Sequence, residues 1–445
     1  MSQQMKKRAI GWWLAAVFGL SGFGACAAMV SSQRTDDPGP AAEESAAGSQ
    51  PAPWEPQVPA PSAESWRLPQ WERSAPYFPY LPGEDRTRSR SVGGVSHGWL
   101  VNSVRIPQPH PHLAVLDVQN GRDLDYTADE TLELVEAAAA HVAAAYPGSM
   151  LYLGNFSADG GGDIPYSVSH NSGRDADLAF YLLGEDGKPA EVTDLVALDD
   201  DGAYVAPDGT KYTFDVARNW KLIEGLAKHG RGQIQFVFVS RELRRMLLDQ
   251  GRKAGAESAL VSYAAEILVQ PGGALPHNDH FHLRTYCSAL DVQSGCENRG
   301  SKKPGYQSFR GERAETVELA KGLLDEEEPA LRLAAIRRLG LLHERSATDA
   351  FIAALDDPDP RVRAAGGRSL AQLGRGEAAL ARRVAVEKHP QVRAELVWAL
   401  GDFDSSDAVT ALAKLLDEPQ PARFAADFEL DLRVLIADAL AIADD

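Results

Sequence analysis

Two short segments concentrate the residue types that bind metals and move protons. The first is Ser169-His170-Asn171-Ser172-Gly173-Arg174-Asp175-Ala176-Asp177 and the second Pro276-His277-Asn278-Asp279-His280-Phe281-His282-Leu283-Arg284. Read as a strand, the second segment alternates its side chains between two faces, so His280 and His282 point the same way. Two imidazoles on one face can bind an ion together, or one can ligate while its neighbour reaches a substrate. In the first segment Asn171-Ser172-Gly173 is a turn sequence, which lets His170 and Asp177 converge on one ion. Two histidines and an aspartate suit zinc, and three protein ligands leave the fourth tetrahedral position to water, as in a catalytic site. Neither segment contains glutamate, which excludes the HExxH arrangement with its glutamate base.

Arg174 and Arg284 are candidates to bind a substrate carboxylate, Arg284 on the same strand face as His282. The competing reading is a salt bridge to Asp175 or Asp279 that buttresses the site. A further pair, His110-Pro111-His112, sits among prolines with no matching His/Asp segment and reads as a surface loop. His97, His141, His229, His343 and His389 are scattered and read as ordinary surface or core residues. The run Gly160-Gly161-Gly162 reads as a cleft loop, because no Lys-Ser/Thr follows to make a phosphate cradle.

These residues need a scaffold, and 445 residues are enough for two or three domains. Apolar residues make up 44% and charged residues 24%, the balance of a soluble globular protein. The formal net charge of −18 argues against a nucleic-acid partner. Three cysteines exclude a disulfide scaffold or a four-cysteine zinc module. The run Glu130 to Ala145 predicts a helix, with Asp129 as N-cap and Pro147-Gly148 as its stop. Met150 to Leu153, Asp177 to Leu183 and Ile234 to Val239 predict strands, and Ser240 caps a helix running through Leu248. Strands and helices interleave without the regular spacing of βαβ units, which predicts an α+β domain with a largely antiparallel sheet.

The last 130 or so residues repeat. Arg332, Arg363, Arg393 and Arg433 each stand seven residues before a Leu, and Pro329, Pro360 and Pro390 lie three residues before the first three. Each unit is an Ala/Leu-rich helical hairpin that needs stacked neighbours to bury its apolar stripe. The pattern resembles short HEAT-like repeats, with an inserted loop at Glu418 to Phe428.

The N-terminus reads as a targeting segment. Lys6, Lys7 and Arg8 precede the apolar stretch Ile10 to Phe23, too short for an ordinary transmembrane helix. Phe23-Gly24-Ala25-Cys26 resembles a bacterial lipobox, with Phe23 in place of the usual Leu, which implies lipidation at Cys26. The alternative is simple signal cleavage near Ala25–Ala28. Ala27 after the cysteine implies the outer membrane. Residues 27–80 are rich in Pro, Ala, Ser and Glu and read as a disordered tether, although Trp54, Trp66 and Trp71 are unusual there.

H-x6-D followed about a hundred residues later by H-x-H resembles the zinc peptidases related to lysostaphin and the D-Ala-D-Ala metallopeptidases. The wording S-H-N-S-G-R-D-A-D and P-H-N-D-H-F-H-L-R is most similar to the penicillin-insensitive murein endopeptidases. The resemblance runs from about Ser91 to Cys296. It implies that His170, Asp177 and His282 ligate one zinc ion. His280 is then the non-ligand histidine that meets the developing oxyanion or shuttles a proton, and His277 a further active-site histidine. It also implies a disulfide between Cys287 and Cys296 in an oxidising periplasm. The family often carries another histidine where this chain has Ser167. The implied substrate is the D-alanyl to meso-diaminopimelate cross-link of peptidoglycan. The expected organisation is a signal peptide (1–26), the tether (27–80), a zinc endopeptidase domain (81–305) and HEAT-like repeats (312–445) that bind a protein partner or regulate the enzyme. The alternatives are a DD-carboxypeptidase of the same fold, or a wall-binding interaction protein with an inactive peptidase domain.

Overall fold

The computed structural model describes residues 78–417, apart from 120, 192, 274 and 404, together with 436, 437 and 439. The targeting segment with Cys26, the tether up to residue 77, the Glu418–Phe428 insertion and Arg433 lie outside the described residues. Among the described residues no helix is long and apolar enough to cross a membrane.

The chain opens with the hairpin β1 (Arg90–Gly94) and β2 (His97–Val101), then β3 (Val104–Arg105), β4 (Leu113–Val115) and β5 (Tyr126–Thr127). Helix α1 (Asp129–Ala145) follows, then β6 (Leu151–Leu153) and β7 (Asp175–Ala179). A small three-stranded sheet comprises β8 (Leu182–Gly184), β9 (Ala203–Val205) and β10 (Lys211–Phe214). Next come α2 (Val216–His229), β11 (Ile234–Phe238), α3 (Arg241–Lys253), α4 (Ser258–Ile267), β12 (Leu268–Val269), β13 (His280–Thr285) and α5 (Ala289–Gln293).

The main sheet has the order β12-β11-β13-β7-β6-β4. Its three inner pairings are antiparallel and its two outer ones, β11/β12 and β4/β6, are parallel. The fold is α+β as expected, but the sheet is mixed, because helix-containing connections return the chain to both edges in parallel.

Period-2 alternation divides the two faces. Ala176, Leu178, Phe281 and Leu283 are fully buried in the core, with Val135, Ala138, Leu222, Ile223 and Leu226 of α1 and α2. Each large side chain of this kind contributes roughly 1.5–3 kcal/mol by leaving water. The intervening residues Asp175, Asp177, His280, His282 and Arg284 are thereby forced onto the opposite face. The apolar half of the pattern holds the strands in register, and the polar half is the consequence.

Two local expectations change. Asp129 is the first residue of α1 rather than its cap, and Ala128 holds the cap position without a side-chain bond. Ser89 is the reason: its N–H donates to Asp129 Oδ2 at 2.7 Å and its Oγ accepts from the Asp129 N–H at 2.7 Å. The expected strand Asp177 to Leu183 begins at Asp175 and breaks after Ala179. The break falls where the Asn219 side chain satisfies both the N–H and the carbonyl of Tyr181, at 3.0 and 2.7 Å, freeing that residue from strand pairing. Ser240 does cap its helix, accepting from the Leu243 N–H, and the helix continues to Lys253.

The C-terminal helices are α6 (Arg310–Gly322), α7 (Pro329–Leu341), α8 (Thr348–Ala354), α9 (Pro360–Leu373), α10 (Glu377–Val386), α11 (Pro390–Gly401) and α12 (Ser406–Asp417). Pro329, Pro360 and Pro390 each start a helix, where the missing N–H costs nothing. Arg332 grips Asp357 in the turn of the next unit at 2.8 and 2.9 Å, and Arg363 grips Glu387 one unit further at 2.8 and 3.1 Å. Arg332 and Arg363 are thus rungs between neighbouring hairpins.

The first repeat is bolted to the α+β body. Arg338 of α7 is fully buried and donates to both carboxylate oxygens of Glu84 (2.7 and 2.8 Å), to the Pro79 carbonyl (2.8 Å) and to the Gln293 carbonyl (3.2 Å). Its guanidinium carbon lies 4.5 Å from the Phe78 ring centroid. Leu81 is buried in the apolar core of the repeats.

Candidate metal and active site

The polar face of β7 and β13 carries the site. Across the antiparallel pair His282 faces Asp177, Arg284 faces Asp175, and His280 faces Ala179. His170 reaches the same place from the preceding turn with a positive φ of 76°. That conformation is unusual for a residue with a Cβ, and strain of this kind gathers at functional sites. Its N–H donates to Asp175 Oδ2 at 3.1 Å, and its carbonyl accepts from Ser157 Oγ. The turn closes on Gly173, whose φ is +75° and where a Cβ would press on Leu100 Cδ2 at 2.7 Å. Gly160, Gly161 and Gly162 all have positive φ, and at Gly161 a Cβ would collide with the Asn171 carbonyl. This glycine run packs against the histidine turn.

Asp177 Oδ1 is the centre of the cluster. It lies 3.4 Å from His170 Nε2, 3.2 Å from His282 Nδ1 and 3.3 Å from His280 Nε2. Ligand atoms of His170, Asp177 and His282 all lie within 4.8 Å of one another, and those three residues are buried. His277, His280 and His282 form a second, more open trio sharing His282. The His277 ring centroid is 5.7 Å from that of His280 and 5.9 Å from that of His282.

Whether a cation fits is answered by the buried polar atoms. Both ring nitrogens of His170 and Asp177 Oδ1 are buried without a hydrogen-bond partner among the described residues. Polar atoms left this way are costly unless something else engages them. One positive ion would engage the lone pairs of His170, Asp177 and His282 together, and two nitrogens plus one carboxylate oxygen are a donor set that fits zinc and similar divalent metals.

The electrostatics agree. Burial opposes the charge on Asp177, but His280 and His170 outweigh it and hold the carboxyl well below the usual range. Asp175 is likewise held low against burial, chiefly by Arg284 and His282. Burial disfavours a charged His280, yet Asp177 and Asp279 raise it to about 10, with Asp279 Oδ1 at 2.8 Å from its Nδ1. His277 goes the other way, to about 4, through burial and the neighbouring His280 and His282. Asp175 and Asp177 are therefore held ionised beside the histidines.

The arginines are used differently from the substrate-binding expectation. Arg174 is fully buried and donates to the Thr285 carbonyl (2.9 Å), the Glu297 carbonyl (3.2 Å) and Asn298 Oδ1 (3.3 Å). It ties β7 to the segment after β13 and is closed to a substrate. Arg284 spends its fork on Asp175, so the buttress reading holds for it. Cys287 and Cys296 are joined in a disulfide. His110 and His112 stand apart from the site, with His110 3.4 Å from Glu136.

Two participants, Asn155 and Phe238, escaped the sequence reading, and Asp175 does more than pair with Arg284. Asn155 donates to Asp177 Oδ2 at 3.1 Å. Asp175 lies 3.3 Å from His282 Nε2 and supports that ring from behind. Phe238 of β11 walls the site, its ring centroid 5.3 Å from His282 and 5.4 Å from His277. For Phe238 a signal existed, the alternation within Ile234 to Val239; Asn155 carries none.

No curated protein matches the chain significantly. Among solved structures, an engineered protein is 13% identical, covering 52% of this chain and 90% of its own, with a TM-score of 0.24. A designed armadillo repeat protein is 12% identical, covering 51% and 94%, with a TM-score of 0.23. Family models match two stretches: HEAT repeats at residues 316–382 and penicillin-insensitive murein endopeptidase at residues 91–310. The body that carries the His/Asp cluster, residues 91–310, thus belongs to the penicillin-insensitive murein endopeptidase family, and HEAT repeats follow it.

Proposed function

We propose that this chain is an exported zinc metallopeptidase that hydrolyses the D-alanyl to meso-diaminopimelate cross-links of peptidoglycan. The observation that carries the reading is the meeting of His170, Asp177 and His282 in one buried cluster within a murein endopeptidase body. When bound, zinc supplies Lewis-acid activation of water and of the scissile carbonyl.

The chain's own residues do the rest. His170, Asp177 and His282 hold the ion, and Asp175 and Arg284 hold His282. His280, oriented by Asp279 at its Nδ1, offers its other nitrogen to the negative charge that develops on the carbonyl oxygen. His277, beside it, is the group available to accept and return a proton to the leaving amine. Phe238 excludes water from one side of the cluster.

The N-terminal sequence supports export and lipidation at Cys26, giving a periplasmic protein anchored to the outer membrane. The HEAT repeats offer an extended surface for a protein partner or for regulation of the enzyme.

The test is digestion of isolated cross-linked muropeptide dimers by the chain lacking residues 1–26, with and without a chelator, beside His282→Ala. Conversion of dimers to monomers by the unaltered protein alone, abolished by chelation, is the expected result. Release of only a terminal D-Ala would make it a DD-carboxypeptidase. Intact dimers with metal bound would leave a wall-binding protein.

A further inference from the structure

Asn155 stands in the loop after β6 and has no place in either histidine segment, yet together with Gly154 it is joined to Asp177 at three points. Its carbonyl accepts from the Asp177 N–H at 3.0 Å, the adjacent Gly154 N–H donates to the Asp177 carbonyl at 2.8 Å, and its side-chain amide donates to Asp177 Oδ2 at 3.1 Å. The orientation of that amide is determined by chemistry. Its other end, Oδ1, accepts from Arg122 Nη1 at 3.4 Å. Arginine has no acceptor and a carboxylate no donor, so the amide nitrogen must face Asp177. Arg122 is itself steadied against the ring of Tyr166, 4.1 Å from its centroid. Asp177 therefore has one oxygen engaged by an amide and the other, Oδ1, buried without a hydrogen bond and facing three histidines.

We infer that Asn155 is a positioning residue that makes Asp177 a one-oxygen metal ligand, with Arg122 fixing the amide in the required sense. The inference rests on the metal-site reading above. A carboxylate free to turn can present both oxygens and take up coordination space that a peptidase needs for water and substrate. Asn155 prevents this by holding Oδ2 away. Partners that orient ligands in this way typically account for about 10–100-fold in metal affinity.

The test measures metal binding directly, on the metal-stripped full chain, by competition with a chromophoric chelator for Zn2+ and by the visible spectrum after loading with Co2+. Asn155→Leu removes the donor at similar size. The expected result is Zn2+ binding weaker by about 10–100-fold, with a fainter Co2+ absorption than in the wild type, the sign of a higher coordination number. Arg122→Leu, which touches no ligand, shifts both readouts the same way by less. Wild-type affinity and spectrum in both variants overturn the inference while leaving the metal site intact. Failure of the wild type to bind Zn2+ or Co2+ overturns the metal reading itself, and this inference with it. If circular dichroism shows Asn155→Leu unfolded, Asn155→Ser and Arg122→Leu decide by the same criteria.

Discussion

Arg284 and Asp175 face each other across the β7/β13 register and form a two-pronged pair, Nε to Oδ1 at 2.6 Å and Nη2 to Oδ2 at 3.0 Å. Asp175 is fully buried and also accepts from the His170 N–H at 3.1 Å. Removing one partner of a buried pair strands the other charge. Arg284→Ala is therefore expected to lose roughly 3–5 kcal/mol of stability in a denaturant titration, and Arg284→Lys part of that, since lysine cannot supply the fork. Unchanged stability with a raised KM would instead make Arg284 a substrate contact.

The two histidines of H-x-H should separate cleanly. His282→Ala is expected to abolish both metal binding and muropeptide hydrolysis. His280→Ala should keep the metal, read by elemental analysis, and lose about 10²–10⁴-fold in kcat. Loss of metal in both variants would make His280 a ligand.

Stability should depend on pH through a pair of carboxyls away from the histidines. Burial, reinforced by Asp291, raises Glu130 to about 7, and Asp291 is raised as well, chiefly by burial. A carboxyl with a raised folded pKa binds its proton more tightly in the native state, so native stability falls as pH rises from about 4.5 to about 7. Glu130→Gln should have a higher unfolding midpoint than the wild type at pH 8, and the difference should vanish below about pH 4. Parallel melting curves across that range would refute it.

The joint between body and repeats gives a further expectation. Arg338→Ala leaves Glu84 half-buried and without its main partner, and should cost roughly 3–5 kcal/mol. Limited proteolysis should then cut between α5 and α6 faster than in the unaltered protein.

Much of the site was legible because its residues lie in two short runs. The alternation His280-Phe281-His282-Leu283-Arg284 specifies both a strand and the face its histidines share, and Asn171-Ser172-Gly173 specifies the turn that brings His170 to Asp177. The repeat was legible because Pro329, Pro360 and Pro390 recur in fixed relation to the arginines. What escaped depends on chain segments meeting from afar. Asn155 bonds Asp177 across a separation of 22 residues, Ser89 takes over Asp129 from 40 away, and Arg338 meets Glu84 from 254 away. Arg174 looked like a substrate ligand because a sequence displays a charge without the three acceptors that bury it.

The Arg338 clasp also decides how a mechanical load would travel. The described chain begins at Phe78, and Phe78, Pro79 and Glu84 are all gripped by one guanidinium. Tension applied to the preceding residues would arrive first at this clasp and spread into the repeat array. Asp177 stands on β7 and His282 on β13, and the β1/β2 hairpin that follows the clasp is bonded to the turn carrying His170, through Ser91 Oγ to the Ser172 carbonyl and the Asn171 N–H to the Val95 carbonyl, so the clasp stands between that turn and the pull. The joint would thus serve as a strain relief, letting the protein be pulled from its N-terminal side without the cluster of His170, Asp177 and His282 being drawn out of register.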